Sequence, residues 1–130
     1  MLSHISLPIA HRDRSMAFYD AVLGALGYAR VWTGERGLGY GSPGREQLNL
    51  FVPRDAPAAP AGPGFHLAFT APHPAAVEAF HRAALANGGR CVGPPGLRAH
   101  YSPTYFACFV VDPDGHKLEA VHQVLPAEGG

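Results

Sequence analysis

The chain is poor in lysine and cysteine, shows no surplus of either charge, and contains no long apolar run. Nine of its ten basic residues are arginine, Lys117 is the tenth, and ten acids balance them to a formal net charge of zero. That balance excludes the basic excess on which a nucleic-acid or membrane-surface partner depends. With so much Ala, Pro and Gly, the preference for arginine reads as codon bias rather than as a binding surface. No stretch approaches the roughly 18 apolar residues that a membrane span requires. The opening Met1-Leu2-Ser3-His4 has neither the basic nor the apolar part of a secretory signal, so a cytoplasmic location is expected. Cys91 and Cys108, 17 positions apart, match no zinc spacing and are expected to be reduced, buried core residues.

What is present begins with an ordinary globular composition, 47% hydrophobic and 15% charged over 130 residues, enough for one domain. More informative is an internal repeat. A shift of 62 positions lays His4 on His66, Phe18 on Phe80, Leu23 on Leu85 and Gly27 on Gly89. Later the shift becomes 70, laying Pro43 on Pro113, Leu48 on Leu118 and Asn49 on Glu119. Two copies of one supersecondary unit are implied. The first spans 1–52 and the second 65–125, joined by a linker over 53–64 with prolines at 53, 57, 60 and 63 and followed by a tail at 126–130.

Both copies read alike. In the first, a strand over 2–9 precedes a helix capped by Asp13, burying Phe18, Val22 and Leu26 and stopping at Gly27; strands follow near 28–33, 37–41 and 46–52. In the second, a strand over 65–71 precedes a helix with Pro74 in its first turn, burying Val77, Phe80 and Ala84 and ending at Gly88-Gly89. Strands near 90–92, 105–111 and 116–122 complete it, with Asp112-Pro113-Asp114-Gly115 as the last turn.

Strand parity then sorts the polar residues. His4 shares a face with Ser6, His66 with Ala68 and Thr70, Asn49 with Gln47 and Phe51, and Glu119 with Lys117 and Val121. The opposite faces are apolar and suited to packing under the helices. A pseudo-twofold pairing of the copies would gather His4, His66, Asn49 and Glu119 at one centre. Two imidazoles and a carboxylate suit zinc, manganese, iron or nickel and leave coordination positions open. Asn49 is a weak ligand and is expected to hydrogen-bond a metal-bound water. His116 is expected to be solvated in its turn. His122 falls on the face away from Glu119, and His11, His73 and His81 are expected at the surface. The segment from Gly96 to Tyr105 reads as a long loop whose Arg98, Tyr101 and Tyr105 are candidates for substrate contacts.

These residues resemble the vicinal oxygen chelate superfamily, the glyoxalase/bleomycin-resistance/dioxygenase fold. The resemblance is carried by His4 before Ser15-Met16-Ala17-Phe18-Tyr19-Asp20-Ala21-Val22-Leu23-Gly24, by His66, and by Asp112-Pro113-Asp114-Gly115-His116-Lys117-Leu118-Glu119. It implies an α+β fold of two βαβββ modules curling into a cup around one divalent ion. The ligands would be His4, His66 and Glu119, with Glu119 also the catalytic group. In glyoxalase I-like members the position of Asn49 is normally Glu or Gln, so the likeness stops short of the full four-ligand site. What it implies is a metal-dependent lyase or isomerase that chelates a small oxygenated substrate, in a homodimer. Thiol addition to an epoxide, as in fosfomycin-resistance transferases, and ring-cleaving dioxygenation use similar residues. A bleomycin-resistance-like protein that sequesters a drug or metabolite is the reading without chemistry.

Overall fold

Apolar residues at every second position from Ile5 to Ile9 give the first strand, β1 (Ile5–Pro8). Helix α1 (Arg12–Ala25), then β2 (Ala29–Thr33), β3 (Gly37–Ser42) and β4 (Arg45–Phe51) complete the first unit. The second repeats it as β5 (Leu67–Thr70), α2 (Pro74–Ala86), β6 (Arg90–Leu97), β7 (Phe106–Val111) and β8 (Lys117–His122). The computed structural model describes residues 1–125, and the expected tail at 126–130 lies outside the described residues.

Each unit forms a four-stranded mixed sheet, in the orders β1-β4-β3-β2 and β5-β8-β7-β6. Within them β1 pairs parallel with β4 and β5 with β8, while the other pairs are antiparallel. The register carries the repeat: Ser6 pairs with Asn49 where Ala68 pairs with Glu119, and on the next strand Gly39 and Phe109 are their partners. The α+β architecture of two βαβββ modules is as expected.

The helices pack on each other and on the apolar faces of the sheets. Phe18 and Phe80, equivalent in the repeat, are both fully buried; truncating either to Ala would cost about 3–5 kcal/mol. Helix α1 starts earlier than its expected cap. His11 occupies the cap position without a side-chain bond, and Asp13 sits in the first turn, bound to Arg12, where its charge favours the helix dipole. The left-handed stops are Gly27 (φ 93°) and Gly88 (φ 92°). Gly89 serves instead for close approach, since a Cβ there would lie 2.7 Å from the Phe18 ring.

Three expectations are corrected. Cys108 is buried, but Cys91 is exposed because β6 is an edge strand. The same strand runs on to Leu97 through two irregularities, one between Cys91 and Gly93 and one spanning Pro94 and Pro95, which an edge tolerates, so the loop starts at Arg98 rather than Gly96. His116 is not solvated: it is 2% exposed, and its Nε2 lies 2.6 Å from the Pro8 carbonyl.

That histidine belongs to a polar knot tying the units together. The buried Tyr19 hydroxyl donates to Asp112 Oδ2 at 2.5 Å, and the Asp114 and His116 amides donate to Asp112 Oδ1, each at 2.9 Å. Asp114 accepts from the Ala10 amide (2.9 Å), Arg14 (2.8 Å) and Ser15 (3.2 Å). Burial raises both the Asp112 carboxyl and the Tyr19 hydroxyl above their ordinary pKa values. Among the described residues no helix is long and apolar enough to cross a membrane.

Candidate metal and substrate site

Glu119 stands in the middle of β8 between β5 and β7 and is 2% exposed, an unfavourable place for a carboxylate unless it is partnered. Its partners come from both sides. His66, just before β5, brings Nε2 to 2.9 Å from Glu119 Oε1. The Tyr105 hydroxyl donates a short hydrogen bond to Oε2. Desolvation first, and then the bond to Glu119, raise the Tyr105 pKa, so the hydroxyl keeps its proton. The His66 and Phe109 rings make a T-shaped contact, 6.0 Å between centroids.

His4 does not join this pair within the chain. Its imidazole is exposed, with Nδ1 3.0 Å from the Ser3 hydroxyl. It lines a cleft of about 260 Å³ between β1 and β5, with Tyr28, Tyr40, Leu67 and Phe69. β1 and β5 are the outer strands of separate sheets, so no ladder draws their histidines together. Among the described residues no three His, Cys, Asp or Glu side chains gather as a metal cluster.

Asn49 also stands apart. Its Oδ1 accepts from Trp32 Nε1 at 3.1 Å, which takes the acceptor expected to serve a water. The indole lies across Gly39, where a Cβ would come within 2.0 Å of Nε1, and its ring is 5.8 Å from that of Phe51. The polar face of the first sheet is thus roofed by tryptophan, whereas that of the second exposes His66.

The other expected contact residues gather on the second sheet. Arg98 Nη2 donates to the Pro94 carbonyl at 2.7 Å, and its Cζ lies 5.7 Å from the Phe109 ring centre. Tyr101, 60% exposed, meets Tyr105 in a T-shaped contact at 5.1 Å and lies tilted against His100 at 4.1 Å. Sequence reasoning missed Trp32 and Phe109. It placed Lys117 on the Glu119 face without giving it a role, yet its Nζ lies 5.3 Å from the Phe109 centre. The signal for Phe109 was there, since the shift of 70 sets it on Gly39.

A family model for the Glyoxalase/Bleomycin resistance protein/Dioxygenase superfamily matches residues 1–120. The chain belongs to that superfamily. A solved glyoxalase/bleomycin resistance protein from Albidiferax ferrireducens T118 is 35% identical, with 95% of this chain and 99% of that chain covered and a TM-score of 0.86. A glyoxalase-related enzyme from Fulvimarina pelagi shares the fold at 21% identity, covering 100% and 95% of the two chains, with a TM-score of 0.74. So does a fosfomycin resistance protein from Listeria monocytogenes at 17% identity, covering 96% and 94%, with a TM-score of 0.68. No curated protein matches the chain.

For a glyoxalase-superfamily chain the question is whether these residues suit an ion. Ligands about 2.1 Å from an octahedral ion, about 90° apart, are themselves about 3 Å apart. The 2.9 Å between His66 Nε2 and Glu119 Oε1 fits two neighbouring ligands. Tyr105 on the other carboxylate oxygen is the outer partner that orients such a ligand. The pair fits, and it is short of a third donor.

Proposed function

We propose that the protein is a metal-dependent enzyme of the glyoxalase kind, a lyase or isomerase acting on a small oxygenated substrate. The observation that carries this reading is the buried Glu119, held between His66 at 2.9 Å and the Tyr105 hydroxyl. His66 and Glu119 would hold one divalent ion, with His4 of a second copy as third ligand. The exposed His4 and the unpaired edges of β1 and β5 support a homodimer built this way. A bound ion would supply Lewis-acid polarisation to two neighbouring oxygens of the substrate. The chain's own residues do the rest. Glu119 would release Oε1 from the ion to accept a proton there from the substrate carbon, while Tyr105 keeps its own proton, donates it in a hydrogen bond to Oε2 and fixes the carboxylate plane.

His66→Ala should lose most of the bound zinc, nickel, manganese or iron while melting as the wild type does; normal metal content in that variant would sink the assignment. The shared site has its own test. His4→Ala and Glu119→Ala should each fail to hold the ion alone, and unfolding and refolding them together should recover part of it, because mixed dimers contain one intact site. No recovery overturns the sharing.

A second reading is favoured by one observation, the tryptophan roof that ties up Asn49. It supports a sequestering protein of the bleomycin-resistance type, with an aromatic face for an organic ligand. Failure of every one of the four metals to bind stoichiometrically would select it.

A further inference from the structure

Among the described residues, two cations that converge on Phe109, the strand neighbour of Glu119, make no ion pair. The ion pairs among the described residues engage Arg12, Arg14, Arg30 and His66, and neither Arg98 nor Lys117 takes part in one. Both nevertheless lie against one ring. Arg98 Cζ and Lys117 Nζ are 5.7 and 5.3 Å from the centre of Phe109, whose ring also makes a T-shaped contact with the His66 imidazole, 6.0 Å between centroids. Phe109 is the β7 partner of Glu119, and Lys117 is two residues from Glu119 on the same face of β8.

The ring does not account for this convergence. A cation over an exposed aromatic face gains about 0.5–1 kcal/mol, and two like charges brought to one ring repel. The backbone is nonetheless shaped for it. The bond from Arg98 Nη2 to the Pro94 carbonyl fixes the guanidinium plane. A Cβ at Gly96 would lie 3.0 Å from Arg98 Nη1, and one at Gly93 2.9 Å from the Phe109 ring. Glycine at both positions clears the space. In a chain with a single lysine, that lysine stands here.

We propose that Arg98 and Lys117 form an oxyanion subsite that takes the carboxylate of a small organic-acid substrate. This rests on the reading of His66 and Glu119 as the reactive end, and adds that the substrate carries an anionic group at its other end. The planar guanidinium matches a carboxylate bidentately, and the ammonium adds a mobile point charge. An approaching anion meets two unpaired cations against one carboxylate that is hydrogen-bonded on both oxygens. A phosphoryl group shares this chemistry, and the test separates the two.

Metal-free and zinc-loaded protein would be titrated calorimetrically with malonate, malonamide and methylphosphonate. Malonate should bind the metal-free protein, and the uncharged malonamide at least about tenfold more weakly. Lys117→Met should weaken malonate about tenfold, as should Arg98→Lys, which keeps the charge and loses the fork. Both variants should hold zinc as the wild type does. Lys117 is exposed, so its replacement leaves the fold intact. Unchanged malonate affinity in Lys117→Met, or equal binding of the amide, overturns the subsite. Methylphosphonate binding tenfold more tightly than malonate overturns the carboxylate assignment. A protein that takes up no zinc on loading and still binds malonate would sink the metal reading and leave this one standing, whereas zinc uptake without malonate binding would do the reverse.

Discussion

The two modules share one backbone plan and differ in what their polar faces hold. At equivalent positions the first carries Asn49 beside Gly39 and the second Glu119 beside Phe109. The glycine lets Trp32 lie flat over the sheet and bond Asn49. Its phenylalanine counterpart keeps that space, and Arg98, Lys117 and His66 gather around it. A single change of side-chain size at one register position thus separates a closed face from an open one. Duplication supplied the scaffold twice, and only one copy presents an unroofed carboxylate site.

Gly39→Ala is the change that should break this contrast most severely. Its Cβ would sit 2.0 Å from the indole nitrogen, forcing Trp32 off the sheet at a cost of up to about 3 kcal/mol. A lower urea midpoint and red-shifted emission from the chain's one tryptophan would register it. Unchanged emission would mean that the indole does not rest there.

Tyr19 and His81, related by the shift of 62, sharpen the comparison at the helices. Tyr19→Phe strips a buried hydrogen bond from Asp112 and should cost about 1–3 kcal/mol by chemical denaturation. His81 Nε2 is buried without a partner, so His81→Leu should change stability by less than about 0.5 kcal/mol or raise it. Equal losses from both would show that the knot around Asp112 is not special to the first helix.

The smallest effect lies in the second module, where Cys108 fills a fully buried position. Burial pushes its thiol from an ordinary value near 9 up to about 11. The folded state therefore favours the neutral thiol. Its contribution is complete below about pH 9 and is lost as pH rises through about 11. Cys108→Ala should show a shallower fall in stability across that alkaline window. At pH 8, iodoacetamide should label the exposed Cys91 of the native protein and leave Cys108 intact.

The repeat made most of the fold legible, because a shift that aligns buried phenylalanines and stop glycines reports the same packing twice. Parity was readable as well: Leu48, Leu50, Leu118 and Ala120 are buried on the faces where alternation placed them. The pairing of His66 with Glu119 followed from it. What alternation could not show was the arrangement of one module against the other. The distance of His4 from that pair is such a property, and so is the burial of His116 under Pro8. Nor does a sequence say which glycine yields its space to a neighbour, so Trp32 was passed over. Cys91 was misjudged because burial depends on the sheet edge, and strand order is not local information.

The knot around Asp112 also has a consequence in time. Its bonds join residues 93 to 108 positions apart: Tyr19 to Asp112, Ala10 to Asp114 and Pro8 to His116. During synthesis the first four strands can pair as they leave the ribosome, but the Tyr19 hydroxyl must wait until the seventh strand and its turn have emerged. At about 5–20 residues per second, that delay lasts several seconds. Through that interval the nascent chain presents an unfinished helix surface, and a ribosome stalled before Asp112 would hold a partner-seeking half.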